Sequence, residues 1–125
     1  MKKKNFLAST IVVGVILVVF SLLVLTAPSR VEGRWQCNMG YLKAYGCEAI
    51  SSVIFYDDGT YQTILTDAKT EEVLNTTSGT WDMSFFEVTA RRIGQNGSTP
   101  YTYNPFTNIL KNGPSDVANI YKKVH

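Results

Sequence analysis

From Phe6 to Ala27 the chain carries no charged residue, and the run FLASTIVVGVILVVFSLLVLTA is made largely of β-branched and Leu side chains. At about 1.5 Å per residue such a helix spans roughly 33 Å, which matches a bilayer hydrocarbon core of about 30 Å. The pattern therefore predicts one membrane-crossing helix. After it the pattern changes to short strand-forming segments separated by turn residues. Ala49–Tyr56 is rich in β-branched and aromatic residues, Asp57-Asp58-Gly59 is a turn cluster, and Thr60–Thr66 resumes the strand signal, so the three together predict a β-hairpin. A short strand is expected around Glu72–Thr76, with Ser78-Gly79 as punctuation before GTWDMSFF and EVTARRI. Gly94–Ser98 is a loop by composition, and a last strand is expected around Val117–Lys123. Cys37–Ala49 fits an irregular loop, a strand or one helical turn.

Turn signals at intervals of about ten residues fit an antiparallel β-barrel or sandwich, so the fold expected is mainly β behind a single N-terminal transmembrane helix. The segments are a basic stretch at residues 1–5, the anchor at 6–27, a linker at 28–32 opened by Pro28-Ser29-Arg30, and a β domain at 33–125. A cleaved signal peptide is the alternative to a retained anchor. The apolar run exceeds the about 7 to 15 residues of a signal peptide's apolar core, and a cut after Ala27 would leave Pro28 next, which processing enzymes disfavour. Retention is the expectation.

Charge sets the orientation. Lys2, Lys3 and Lys4 precede the helix, and the positive-inside rule keeps them in the cytoplasm, with the β domain on the far side. The chain's net charge is +2, but those three lysines belong to the targeting segment; from Arg30 onward nine basic residues face ten acidic ones. The displayed domain is thus slightly acidic, and nothing in its charge points to nucleic acid.

GRW at Gly33–Trp35, FYDDGTY at Phe55–Tyr61 and GTW at Gly79–Trp81 together resemble the rhythm of small bacterial lipocalin-like domains, which open on G-x-W and carry an F-x-x-D-G-T-Y hairpin. The resemblance covers about half of the displayed part and implies an up-and-down β-barrel.

The candidate chemistry is sparse. Cys37 and Cys47 are the two cysteines, both beyond the helix, and in an oxidising compartment they are expected to pair as a disulfide closing a short loop. Zinc would need two further ligands, and the one histidine, His125, is the last residue. A nucleophilic triad lacks its positioned imidazole for the same reason. Asp57-Asp58 and Glu71-Glu72 are carboxylate pairs, but both fall in expected turns, where solvated acidic side chains are common. No phosphate-cradling glycine motif is present, so no cofactor is expected. One segment stands out: Pro100–Phe106 places Tyr101 and Tyr103 between two prolines and Phe106 directly after the second. Stiffened aromatic loops suit binding surfaces. The competing reading makes Tyr101 and Tyr103 strand residues, with Phe106 plugging the end of the core.

The sequence therefore leads to a non-enzymatic, membrane-anchored binding domain in a bacterial periplasm, acting on another envelope or incoming protein as inhibitors, immunity proteins and exclusion factors do. The alternatives are a lipocalin-like carrier of a small apolar ligand and an accessory subunit of a membrane complex.

Overall fold

The uncharged run forms a single helix, α1 (Lys2–Val31), in the computed structural model of the chain, which describes residues 2–113 and 119–124, with side chains from Thr10 onward. The helix is long and apolar enough to cross a membrane, and almost none of it is covered by protein. It does not end at the expected linker. Pro28 lies inside it, and Val31 is separated from the first strand by Glu32 alone. The last turn persists because it is held by packing: Ala27 and Val31 are completely buried among barrel residues. Its terminal carbonyls also find donors, since Trp35 Nε1 donates to Val31 O at 2.8 Å and Lys123 Nζ donates to Arg30 O at 2.5 Å.

Among the described residues eight strands follow: β1 (Gly33–Leu42), β2 (Cys47–Phe55), β3 (Thr60–Asp67), β4 (Val73–Ser84), β5 (Glu87–Arg92), β6 (Ser98–Asn104), β7 (Ile109–Asn112) and β8 (Asn119–Val124). Each pairs antiparallel with the next, and β8 returns to β1 through Arg34↔Val124, Trp35↔Lys123 and Gln36↔Lys122. The result is a closed up-and-down barrel. Of the expected last strand, Val117 and Ala118 lie outside the described residues, and so does His125.

The expected hairpin is β2–β3, with Phe55 opposite Tyr61. The segment left open at Cys37–Ala49 is the end of β1, a four-residue turn and the start of β2. Ser78-Gly79 does not punctuate. β4 runs through it because Gly79 lets β5 and the Tyr61 ring come close: a Cβ at this position would lie 1.9 Å from Arg91 O and 2.8 Å from Tyr61 Cε1.

Alternation places one face of every strand inside. Trp35, Val53, Phe55, Tyr61, Val88, Tyr101, Tyr103, Leu110 and Tyr121 fill the interior, and Phe55 is the hub of edge-on contacts with Trp81 and Tyr101. Since β1 starts at the helix, the turns after β2, β4 and β6 lie at this near end. The turns after β1, β3 and β5 lie at the distal end.

The expected disulfide is absent: both thiols are free. Cys37 pairs in register with Ser51 and Cys47 with Leu42, so four residues of β2 separate the two positions. At about 3.3 Å per residue that is about 13 Å, twice the Cα separation a disulfide spans. Sequence proximity misled here because both cysteines sit on one hairpin, whose register holds them at different levels.

Candidate functional site

Two of the three aromatics expected at a binding loop are interior residues. Tyr101 and Tyr103 lie on β6, both buried, and Tyr103 packs edge-on against Trp35 with ring centroids 6.0 Å apart. Its hydroxyl donates to Asn108 Oδ1 at 3.0 Å. The strand reading of these tyrosines holds. Phe106 does not plug the core; it is 84% exposed on the β6–β7 turn.

The interior changes character toward the distal end. Below, it is aromatic and closed; above, it opens into a cavity of about 330 Å³ whose floor is formed by Tyr61 and Tyr101 and whose walls include Thr63, Thr77, Asn112 and Arg92. The position of Arg92 follows from β5, where Val88 and Ala90 point inward and the next residue on that face is Arg92, exposed at the rim. Thr63 and Thr77 are hydrogen-bonded to one another through their hydroxyls. Arg92 is the one charged side chain among the described residues that line this mouth. A second hollow of about 290 Å³ adjoins it outside the barrel, sharing Arg92 and Thr77 and adding Ile93, which is 73% exposed.

The electrostatics of the floor are set by burial. The Tyr61 phenol is pushed up from its ordinary value by desolvation, with the Arg92 guanidinium pulling it partly back. Tyr101 is raised further, by burial first and by the neighbouring Tyr121 second, while its hydrogen bond to Asn112 opposes the shift. Tyr121 is raised by burial and eased by the 3.0 Å hydrogen bond between its hydroxyl and that of Ser51. At neutral pH these phenols are neutral hydrogen-bonding groups beneath a permanent cation. That arrangement suits an anionic group with hydroxyl-rich surroundings, and a carboxylate fits the fork of an arginine well. Among the described residues no group of three or more His, Cys, Asp or Glu side chains gathers to hold a metal.

No protein-family model matches the chain, and neither a curated protein nor a solved structure matches it. The site is therefore read from its own residues. The sequence signal for Arg92 is the alternation of Val88, Ala90 and Arg92 on β5, and Thr63 and Thr77 carry no comparable signal.

Proposed function

We propose that the protein is a non-catalytic binding module of a bacterial inner membrane, retained by α1, that presents the distal mouth of its barrel to an acidic segment of another envelope or incoming protein. The single observation that carries this reading is Arg92, a lone cation on the inward face of β5 at the rim of a polar cavity, with exposed Ile93 beside it. A charged anchor next to an exposed aliphatic residue is a combination found at protein interfaces. The aromatic filling of the lower barrel favours this reading over an apolar cargo, which needs an open, apolar interior. The three lysines before α1 support an orientation in which the β domain faces the periplasm.

Photo-crosslinking in intact cells tests the proposal. A photoreactive residue at Gln95 or Thr99, on the mouth, should give a discrete adduct with a second protein, while one at Lys122 on the outer wall should give none. The adduct should vanish when Arg92→Glu is added. Equal adducts at the mouth and the wall, or an adduct indifferent to Arg92→Glu, would remove the basis for the reading.

A further inference from the structure

The near end of the barrel carries features that the distal mouth does not use. Phe20 of α1 meets Phe86 edge to face, their ring centroids 6.0 Å apart. Phe20 stands seven residues before Ala27, where the apolar run ends, so it lies about 10 Å down the helix from that end. A tilt of about 20° shortens this depth by less than about 1 Å. Where α1 spans a bilayer, as read above, the turn that bears Phe86 is therefore carried below the level of the headgroups.

The residues around that contact suit such a place. The β4–β5 turn is only two residues long, Phe85 and Phe86 between the paired Ser84 and Glu87. Phe85 is 66% exposed and held at φ 55°, a left-handed conformation that bulky side chains rarely adopt. A water-facing turn of this kind is ordinarily made with Gly or Asn, so an aromatic here is retained against its conformational preference. Between the turn and the helix runs an open cleft of about 300 Å³, lined by Phe20, Ser21, Val24, Leu25 and Phe85. Apart from the Ser21 hydroxyl, which is occupied with Leu17 O, the lining is apolar.

The neighbouring turn extends the same surface. The Tyr103 amide donates to Phe86 O at 2.8 Å, and β6 then continues through Asn104 into the turn of Phe106, which projects beyond that bond. This turn stands beside the end of α1, where Pro105 and Asn108 share a hollow with Arg30 and Lys123. Aromatic side chains and cations at one level are the composition of a membrane interface. The third near-end turn carries exposed Asp57 and Asp58, which belong in water, so the contact surface is confined to the side of β4–β7.

We propose that the barrel is seated on the lipid bilayer through its near end, with Phe85 inserted among acyl chains beside α1 and Phe106 at the headgroup level. The seat rests on α1 being a retained anchor. It fixes the height and the facing of the distal mouth, because the domain touches lipid at two turns as well as through the helix.

The test uses the full chain in phosphatidylcholine vesicles, with Phe85→Trp, Phe106→Trp and a distal control, Tyr45→Trp, each compared with the wild-type emission of Trp35 and Trp81. The added emission of Phe85→Trp should be blue-shifted and largely lost in vesicles whose acyl chains are brominated. That of Phe106→Trp should be shielded from aqueous acrylamide, whereas Tyr45→Trp should be open to it. Flotation of the same vesicles reports the anchor. Protein that floats while Phe85→Trp and Phe106→Trp are as open to acrylamide as Tyr45→Trp overturns the seat and leaves the anchor standing; protein that does not float overturns both. Should Phe85→Trp lose the wild-type circular dichroism, Phe106→Trp decides alone, by shielding in favour and by full acrylamide access against.

Discussion

The indole nitrogen of Trp35 donates to the carbonyl oxygen of Val31 across 2.8 Å, joining the last turn of α1 to the first strand of the barrel. Both residues are completely buried, so the bond is made out of water and cannot be exchanged for one to solvent. Trp35→Phe should preserve most of the packing but leave that carbonyl without its donor, at a cost of about 1–3 kcal/mol. Trp35→Ala should cost about 3–5 kcal/mol by opening a cavity as well. Urea unfolding followed by circular dichroism separates the two, and a Phe variant as weak as the Ala variant would show that the bond matters more than the volume.

The free thiols make a second prediction. In the native protein Cys47, partly exposed at the start of β2, should react with a thiol reagent well before the buried Cys37, and both should react after denaturation without reductant. Burial raises the Cys47 thiol above its ordinary value, and Asp67 beside it raises it further, so its labelling should need higher pH than a free cysteine and should accelerate as pH rises. Labelling of only unfolded, reduced protein would mean that the two sulfurs are bonded and the hairpin register is different.

Tyr103 and Phe106 lie three residues apart and should behave oppositely. Tyr103→Ser removes a ring that is 2% exposed and packed on Trp35, and should cost about 3–5 kcal/mol. Phe106→Ser removes one that is 84% exposed and should stay within about 0.5 kcal/mol in detergent micelles. The double variant should be as unstable as Tyr103→Ser alone, because only one of its sites is in the core.

How much of this was legible beforehand depended on local agreement between pattern and contact. The β2–β3 hairpin is readable because Ala49–Tyr56 is rich in β-branched and aromatic residues and Asp57-Asp58-Gly59 supplies the turn, whose Asp58 carboxylate accepts hydrogen bonds from the Thr60 amide and hydroxyl. A glycine in a strand looks like an interruption, so the sequence alone breaks β4 at Gly79, where the approach of β5 and Tyr61 in fact requires it. Pro28 looked like a helix end for a similar reason: the packing of Ala27 and Val31 that carries the helix past it is a tertiary effect. Arg92 was hidden by its neighbour, because Arg91-Arg92 looks like a solvated pair, and only the strand's phase sends Arg92 to the mouth while Arg91 faces outside.

Gly79→Ala should be among the most damaging single changes in the barrel. The new Cβ would meet Arg91 O at 1.9 Å and Tyr61 Cε1 at 2.8 Å, and a backbone carbonyl in a closed barrel has no free direction in which to move. Overpacking of this kind costs about 1–3 kcal/mol when side chains absorb it, and more when backbone must shift. Thermal denaturation should show loss of several degrees or failure to fold. Gly94→Ala, at a distal loop with open space around it, should by contrast register only the strain of its φ of 80°.

Alkaline pH should unfold the barrel through its interior phenols. Tyr61, Tyr101 and Tyr121 all hold their protons more tightly in the fold than in the unfolded chain, where a tyrosine ionises near its ordinary value of 10.0, and in each the largest cause is burial. Below pH 10 both states are protonated and the phenols contribute no pH dependence. Above it the unfolded chain loses protons that the folded chain keeps, so the unfolded state binds fewer protons and stability falls as pH rises. Each phenol contributes a slope of up to about 1.4 kcal/mol per pH unit, and Tyr101, the most strongly shifted, continues to contribute after the others have titrated. Tyr101→Phe should therefore flatten the loss of stability between pH 10 and pH 12, measured by urea unfolding at fixed ionic strength. Its own cost at neutral pH should be about 1 kcal/mol, the loss of one hydrogen bond to the half-buried Asn112. An unchanged slope in Tyr101→Phe would show that this phenol titrates in the fold as freely as in the unfolded chain.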